Sequence, residues 1–111
     1  MNLTTQKCVP CQGGEPNLKG KVLQNYRLSI NPPWELYDGD TKLKREFEFE
    51  DFRKALAFVN RVGELAEKEG HHPNIYLYSY KKVRIELWTH KIGGLHQNDF
   101  ILASKIDLLF K

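Results

Sequence analysis

Four histidines stand in the second half of the chain, and three of them sit at spacings that could converge with carboxylates. His71 and His72 are adjacent and follow Glu67 by one helical turn; His90 comes later and Asp99 after it. Imidazole gives and takes protons near neutral pH, so a shared His71, His72 and His90 site supported by Glu67 and Asp99 would suit general acid–base chemistry. Three histidines and a carboxylate are also suitable metal ligands, although an adjacent pair with a distant third matches no metal signature such as H-E-x-x-H. Each residue has a plainer use as well. Neighbouring histidines on an extended segment point in opposite directions, His90 could be a packing or capping residue, and Asp99 could cap a helix by accepting backbone N–H bonds. The residues alone leave these readings open.

The two cysteines, Cys8 and Cys11, form one C-x-x-C with no second pair. A closed zinc site needs two more ligands, and none stands nearby in sequence. Pro10, Gly13 and Gly14 surround the pair, which does not suit the strand-to-helix junction of a redox motif. The expectation is a reduced pair in a flexible arm, with zinc shared between subunits as the alternative.

These side chains need elements to position them. Residues 1–16 read as an N-terminal arm rich in Gly, Pro and polar residues, and 17–111 as a single domain. A first helix is expected over residues 17–28, weakened by Gly20 and ended by Asn31-Pro32-Pro33. Residues 34–37 and 42–49 read as strands around an Asp38-Gly39-Asp40 hairpin turn, with Leu43, Phe47 and Phe49 on one face and Lys44, Glu46 and Glu48 on the other. At Glu50 the period becomes helical: Phe52, Ala55, Leu56, Val59, Val62, Gly63 and Ala66 define an apolar face. Gly70 suits a left-handed helix end, and Pro73 prevents a restart. Strands over 75–80 and 83–90 follow, joined by a tight Lys81-Lys82 turn. A glycine-containing loop, 91–95, leads to a last helix over 96–110 with Phe100, Ile101, Ala103, Ile106, Leu108 and Leu109 apolar. The order α-β-β-α-β-β-α, with strands joined by tight turns, predicts an α+β fold: a four-stranded antiparallel sheet with helices packed on one face. In that frame His71 and His72 leave a helix end, whose partial negative charge favours an imidazolium. Strand parity puts His90 with Arg84, Glu86 and Trp88, opposite Val83, Ile85 and Leu87. Twist at the strand end, or a pocket at the sheet's edge, would have to bring it to the other two.

Composition narrows the classes. Hydrophobic residues make up 41% and charged residues 28% of 111 residues, which suits one globular domain with a modest core. No apolar run is long enough to span a membrane, and the first residues lack the apolar stretch of a signal peptide, so a cytoplasmic protein with no membrane partner is expected. The net charge of +3 comes from interspersed signs, a weak basis for a nucleic-acid partner.

Glu67-x3-His71-His72-Pro73, then Tyr80 after six residues, His90 after nine more and Asp99 after eight more, resembles the signature of the pterin-4a-carbinolamine dehydratases. Trp34, the stretch from Arg45 to Phe52, Gly94-Leu95 and Leu102-Ala103 are similar to that family too, and the cysteine lead-in resembles a segment of many bacterial members. The resemblance implies loss of water from 4a-hydroxytetrahydropterin to give quinonoid dihydropterin, with the pterin as substrate and neither cofactor nor metal. It implies catalytic roles for His71, His72 and His90, with His72 and Pro73 also holding the pterin. Glu67 would tune a histidine, and Asp99 would orient His90 or the loop. Gly70 departs from an acidic residue of animal members, Asn98 from an arginine, and His96 from the Ser or Thr common at a helix cap, which would weaken that cap.

Two rival classes use the aromatic sheet face instead. Tyr76, Tyr78 and Tyr80 alternate on one strand with Trp88 on its neighbour and Lys81, Lys82 and Arg84 near, so the face could stack RNA bases, though the RNA-recognition signature is missing. The same face could bind protein, as in the dimerisation-cofactor role of animal members. Packing against a second copy accounts for the rings more simply and predicts a homodimer or homotetramer.

Overall fold

The computed structural model describes residues 2–10, 12–30 and 34–110. After a 3-10 turn at Leu3–Thr5 come α1 (Gly20–Leu28), β1 (Glu35–Tyr37), β2 (Lys42–Glu48), α2 (Phe52–Glu69), β3 (Asn74–Tyr78), β4 (Lys82–Leu87), a second 3-10 turn at His90–Ile92, and α3 (Gln97–Phe110). The strands form one antiparallel sheet in the order β1-β2-β4-β3, the two hairpins meeting along β2 and β4. Fold class and element order are those the sequence predicts.

Alternation decides which sheet face is covered. Leu43 and Phe47 of β2 and Val83, Ile85 and Leu87 of β4 are buried, and Phe47 pairs with Val83 across the seam. Against them α2 sets Ala55, Phe58, Val62 and Ala66, and α3 sets Phe100, Ile101, Leu102, Ala103 and Ile106. Phe58 stacks on Phe47 and Phe49, with ring centroids 4.9 Å away in each case. The buried stripe of α2 is therefore turned from the expected one: Phe52 and Leu56 are 50% and 43% exposed. The helix carries more apolar surface than the sheet covers, and Phe58 is the large ring that faces it. On α3 Leu108 is likewise exposed, and Leu102 is buried in its place.

Ends and turns follow local chemistry, with two departures. Asp51 caps α2 by accepting from the Lys54 N–H at 2.8 Å, and Gly70 closes it at φ +68°. The turn at Asp38-Gly39-Asp40 is left-handed at all three residues. The second hairpin turns at Ser79-Tyr80-Lys81, one step earlier than expected, because Lys82 already pairs with Tyr78 and Glu48. Tyr80 thus leaves the strand face. Residues 17–19 stay out of α1: the Leu18 N–H reaches the Leu95 carbonyl at 2.9 Å, and Asn17 packs so closely on Gly94 that a Cβ there would meet its amide at 2.1 Å. The predicted stop at Asn31-Pro32-Pro33 lies outside the described residues.

One buried polar group ties β2 to α3. Asp107 accepts from Trp34 Nε1 at 3.0 Å and from Arg45 Nη1 at 2.6 Å, and Arg45 lies over Phe47 and Phe110. Bonds to a charged acceptor contribute about 1.5–3 kcal/mol each. Trp34 and Arg45, both in the family resemblance, thereby position the helix that carries Asp99.

Candidate active site

The end of α2 places the first histidines. The His71 N–H follows that of Gly70 onto the Ala66 carbonyl, so the chain leaves the helix with His71 turned inward, 13% exposed, and His72 outward. β4 stops at Leu87, and Thr89 bridges to Gly94 across the 3-10 turn that begins at His90. The alternation of β4 runs on through buried Thr89, so His90 stays on the side of Trp88, and the cavity at that edge of the sheet is what brings it together with His71 and His72. His71, His72 and His90 line a single cavity of about 510 Å³, together with Pro73, Trp88 and Thr89. A volume of this order suits a small planar ligand, since ligand cavities run about 300–1,000 Å³.

Carboxylates back two of the three. Asp99, 0% exposed, accepts from His71 Nε2 at 2.6 Å, from Thr89 Oγ1 at 2.9 Å and from the His96 N–H at 2.9 Å. An ionised carboxylate only accepts, so the imidazole donates to it from Nε2. Of the two expectations for Asp99, His90 or the loop, the contacts follow the second, and His71 is a partner not expected. Glu67 pairs with His72 Nε2 at the exposed rim. His90 stacks on Trp88 with centroids 4.6 Å apart, and Lys42 Nζ sits 4.3 Å over the same indole. His96 does cap α3. Its Nδ1 accepts from the Asn98 N–H at 3.1 Å while Asp99 takes the His96 N–H, a reciprocal capping box with imidazole in the role of a hydroxyl.

The N-terminal arm is part of this neighbourhood, contrary to the flexible segment expected. Leu3 is buried in the core, the Cys8 N–H donates to Glu69 Oε1 at 2.9 Å, and Val9 exchanges two hydrogen bonds with the Asn98 side chain. Burial alone would lift the Glu69 carboxyl, but the Cys8 N–H and the Lys105 ammonium outweigh it and hold it below its ordinary value. Burial, with the Glu69 carboxylate beside it, pushes the Cys8 thiol up to about 12. Cys11 lies outside the described residues.

Sequence reasoning missed Trp88, Thr89 and the arm. Thr89 carried a signal: it shares the parity of Val83, Ile85 and Leu87, and a polar residue at a core position demands a buried partner. Among the described residues no three His, Cys, Asp or Glu side chains gather as a metal-ligand set, and no helix is long and apolar enough to cross a membrane.

Fold and cavity together define a small α+β domain with a histidine-lined pocket, histidines and carboxylates meeting where α2 and β4 end and α3 begins. Residues 16–109 match the family model of the pterin 4 alpha carbinolamine dehydratases, and the chain belongs to that family. A protein of Methylococcus capsulatus, assigned by name as a pterin-4-alpha-carbinolamine dehydratase, is 51% identical over 97% of this chain and 93% of its own length. The crystal structure of a transcriptional coactivator/pterin dehydratase from Brucella melitensis superposes with a TM-score of 0.79 at 27% identity, covering 86% of this chain and all of that one. A pterin dehydratase-like protein identified as a RuBisCO assembly factor in the alpha-carboxysome shares the fold at a TM-score of 0.60 and 26% identity, over 68% of this chain and 87% of its own.

Proposed function

We propose that this protein removes water from a 4a-hydroxytetrahydropterin to give the quinonoid dihydropterin, by proton transfer through its histidines and without a metal. The observation that carries the reading is the convergence of His71, His72 and His90 on one cavity, His71 being backed by the buried Asp99, in a chain of this family.

The reaction breaks the C4a–O bond. The N5 lone pair forms the new C4a=N5 bond, the departing hydroxyl takes a proton and leaves as water, and the N5 proton is lost to give the neutral product. One group must therefore donate a proton to oxygen and one must accept a proton from nitrogen, each contributing about 10²–10⁴ in rate. His71 and His90 are assigned to these transfers. With Nε2 held by Asp99, His71 offers Nδ1 to the pterin; His90 is steadied by its stack on Trp88. His72, paired with Glu67 at the rim, holds the pterin with Pro73 and shares in the proton traffic. Asp99 and Glu67 act through their histidines as positioning residues.

Replacing His72 or His90 with Ala is expected to lower kcat/KM by about 10²–10³, and replacing both to cost less than the product of the two, because they serve one coupled step. Folded variants with activity within threefold of the parent would remove these histidines from the mechanism.

The reading includes a homo-oligomer, dimer or tetramer, in the cytoplasm. Phe52, Leu56 and Tyr76 support it, as exposed rings and aliphatic surface on a small domain. The RNA-stacking alternative loses ground: Tyr80 sits in a turn, Trp88 faces the histidine cavity, and Arg84 already covers Tyr76 at 4.6 Å.

A further inference from the structure

The histidine cavity has a wall that the site residues do not supply. Val9 and Pro10 line it from the side of the N-terminal arm, a segment outside the 16–109 stretch matched by the family model. What holds them there is specific. The Asn98 amide, 2% exposed, accepts from the Val9 N–H with Oδ1 at 3.0 Å and donates from Nδ2 to the Val9 carbonyl at 2.7 Å. It pairs with one residue's peptide groups as a neighbouring strand would, which takes a donor and an acceptor side by side on one short side chain. One residue earlier, the Cys8 N–H is bound by Glu69, whose other oxygen holds Lys105 at 2.8 Å. Both anchors adjoin His71 and the carboxylate that positions it: Glu69 lies two residues before His71, and Asn98 immediately precedes Asp99.

We propose that Asn98 is a positioning residue that latches Val9 and Pro10 against the cavity, making the N-terminal arm part of the substrate-binding surface. The inference rests on the dehydratase reading of the same cavity. The arm brings two apolar side chains to a pocket otherwise bordered largely by imidazoles and polar groups, and flat heteroaromatic ligands gain from such a surface. Neither residue carries a titratable side chain, so the arm acts on binding and not on proton transfer.

The effect therefore falls on KM. Asn98→Ala removes both latch bonds and is expected to raise KM on the order of tenfold while kcat stays within about threefold, the pattern of lost uniform binding. Asn98→Asp, nearly the same shape, keeps the acceptor but sets a carboxylate oxygen against the Val9 carbonyl, so it should behave like the alanine variant; a space-filling role would tolerate it. The double variant Val9→Ala, Pro10→Ala trims the wall with the latch intact, and it decides the matter if the Asn98 variants do not fold. The Kd of each protein for unsubstituted pterin, a non-reacting probe, is read from Trp88 fluorescence beside the steady-state kinetics. Thermal melts accompany both, since a merely structural role would lower Tm and leave KM and Kd at 25 °C unchanged. Parallel rises in KM and Kd support the latch. A folded set with parental KM and Kd overturns it, as does a fall in kcat with KM unchanged. A parent protein that neither binds pterin nor accelerates dehydration would instead sink the dehydratase reading itself.

Discussion

Exchanging the Asp99 carboxylate for an amide isolates its proposed work, because size barely changes. In Asp99→Asn the amide oxygen can keep the Thr89 hydroxyl and the His96 N–H, the two donors on Oδ2. The amide nitrogen then faces His71 Nε2, where a carboxylate oxygen stands at 2.6 Å. Two donors cannot share that bond, so Nε2 must present a lone pair and the imidazole proton must move to Nδ1. The nitrogen left for the pterin changes from a base to a donor. Loss of one correctly presented acid–base group is expected to lower kcat/KM by about 10²–10⁴, or roughly 3–5 kcal/mol of transition-state stabilisation. Folding loses one bond to a charged acceptor, about 1.5–3 kcal/mol, which a domain with about 5–15 kcal/mol of stability withstands. The assay is kcat/KM on freshly generated 4a-hydroxytetrahydropterin with the spontaneous rate subtracted, alongside nitrogen-15 NMR of the His71 tautomer. A folded variant within threefold of the parent, or one whose His71 still carries its proton on Nε2, would refute the reasoning.

Two further outcomes follow from the arm, and one from the surface. With its thiol pushed up to about 12, Cys8 carries almost no thiolate near pH 8, so iodoacetamide should modify it at least about tenfold more slowly than an unstructured cysteine, and labelling at equal rates would contradict that burial. Changing Cys8 and Cys11 to Ser keeps the Cys8 N–H on Glu69 and is expected to leave turnover within about threefold; a collapse of activity in folded protein would bring the thiols into the site. Sedimentation at micromolar concentration should show a dimer or tetramer, and a clean monomer would mean that the exposed Phe52, Leu56 and Tyr76 do not pack against a second copy.

Features set by neighbours in sequence were legible in the sequence. Asp51 and Gly70 mark the ends of α2 through their own cap chemistry, and Asp38-Gly39-Asp40 marks its turn through tolerance of positive φ. What depended on distant contacts was not. Helical period announces an apolar stripe on α2 but not which part meets the sheet, so Phe58 was overlooked and Phe52 and Leu56 were overvalued. Ser79 and Tyr80 have no turn signal of their own; the Phe49 N–H on the Lys81 carbonyl at 2.8 Å ties their turn to β2. Residues 17–19 were lost to Gly94 and Leu95, nearly eighty positions away. The histidines were found by type and spacing, and His71 and His72 come off a cap the sequence announces. The resemblance tied Asp99 to His90 or the loop, and its bond to His71, at the far end of α2, emerges only once α3 is packed against that helix. Asn98 was read for what it lacks relative to an arginine, and its pairing with Val9 emerges only once the arm is docked.

The central claim is that these histidines dehydrate a 4a-hydroxytetrahydropterin as acids and bases. It is tested most directly by the turnover of freshly generated substrate, relative to its spontaneous dehydration, with protein dialysed against a strong chelator. Acid–base catalysis predicts acceleration equal to that of undialysed protein and unaffected by added Zn²⁺. No acceleration over the spontaneous reaction, or activity lost to the chelator and restored by the metal, would contradict it.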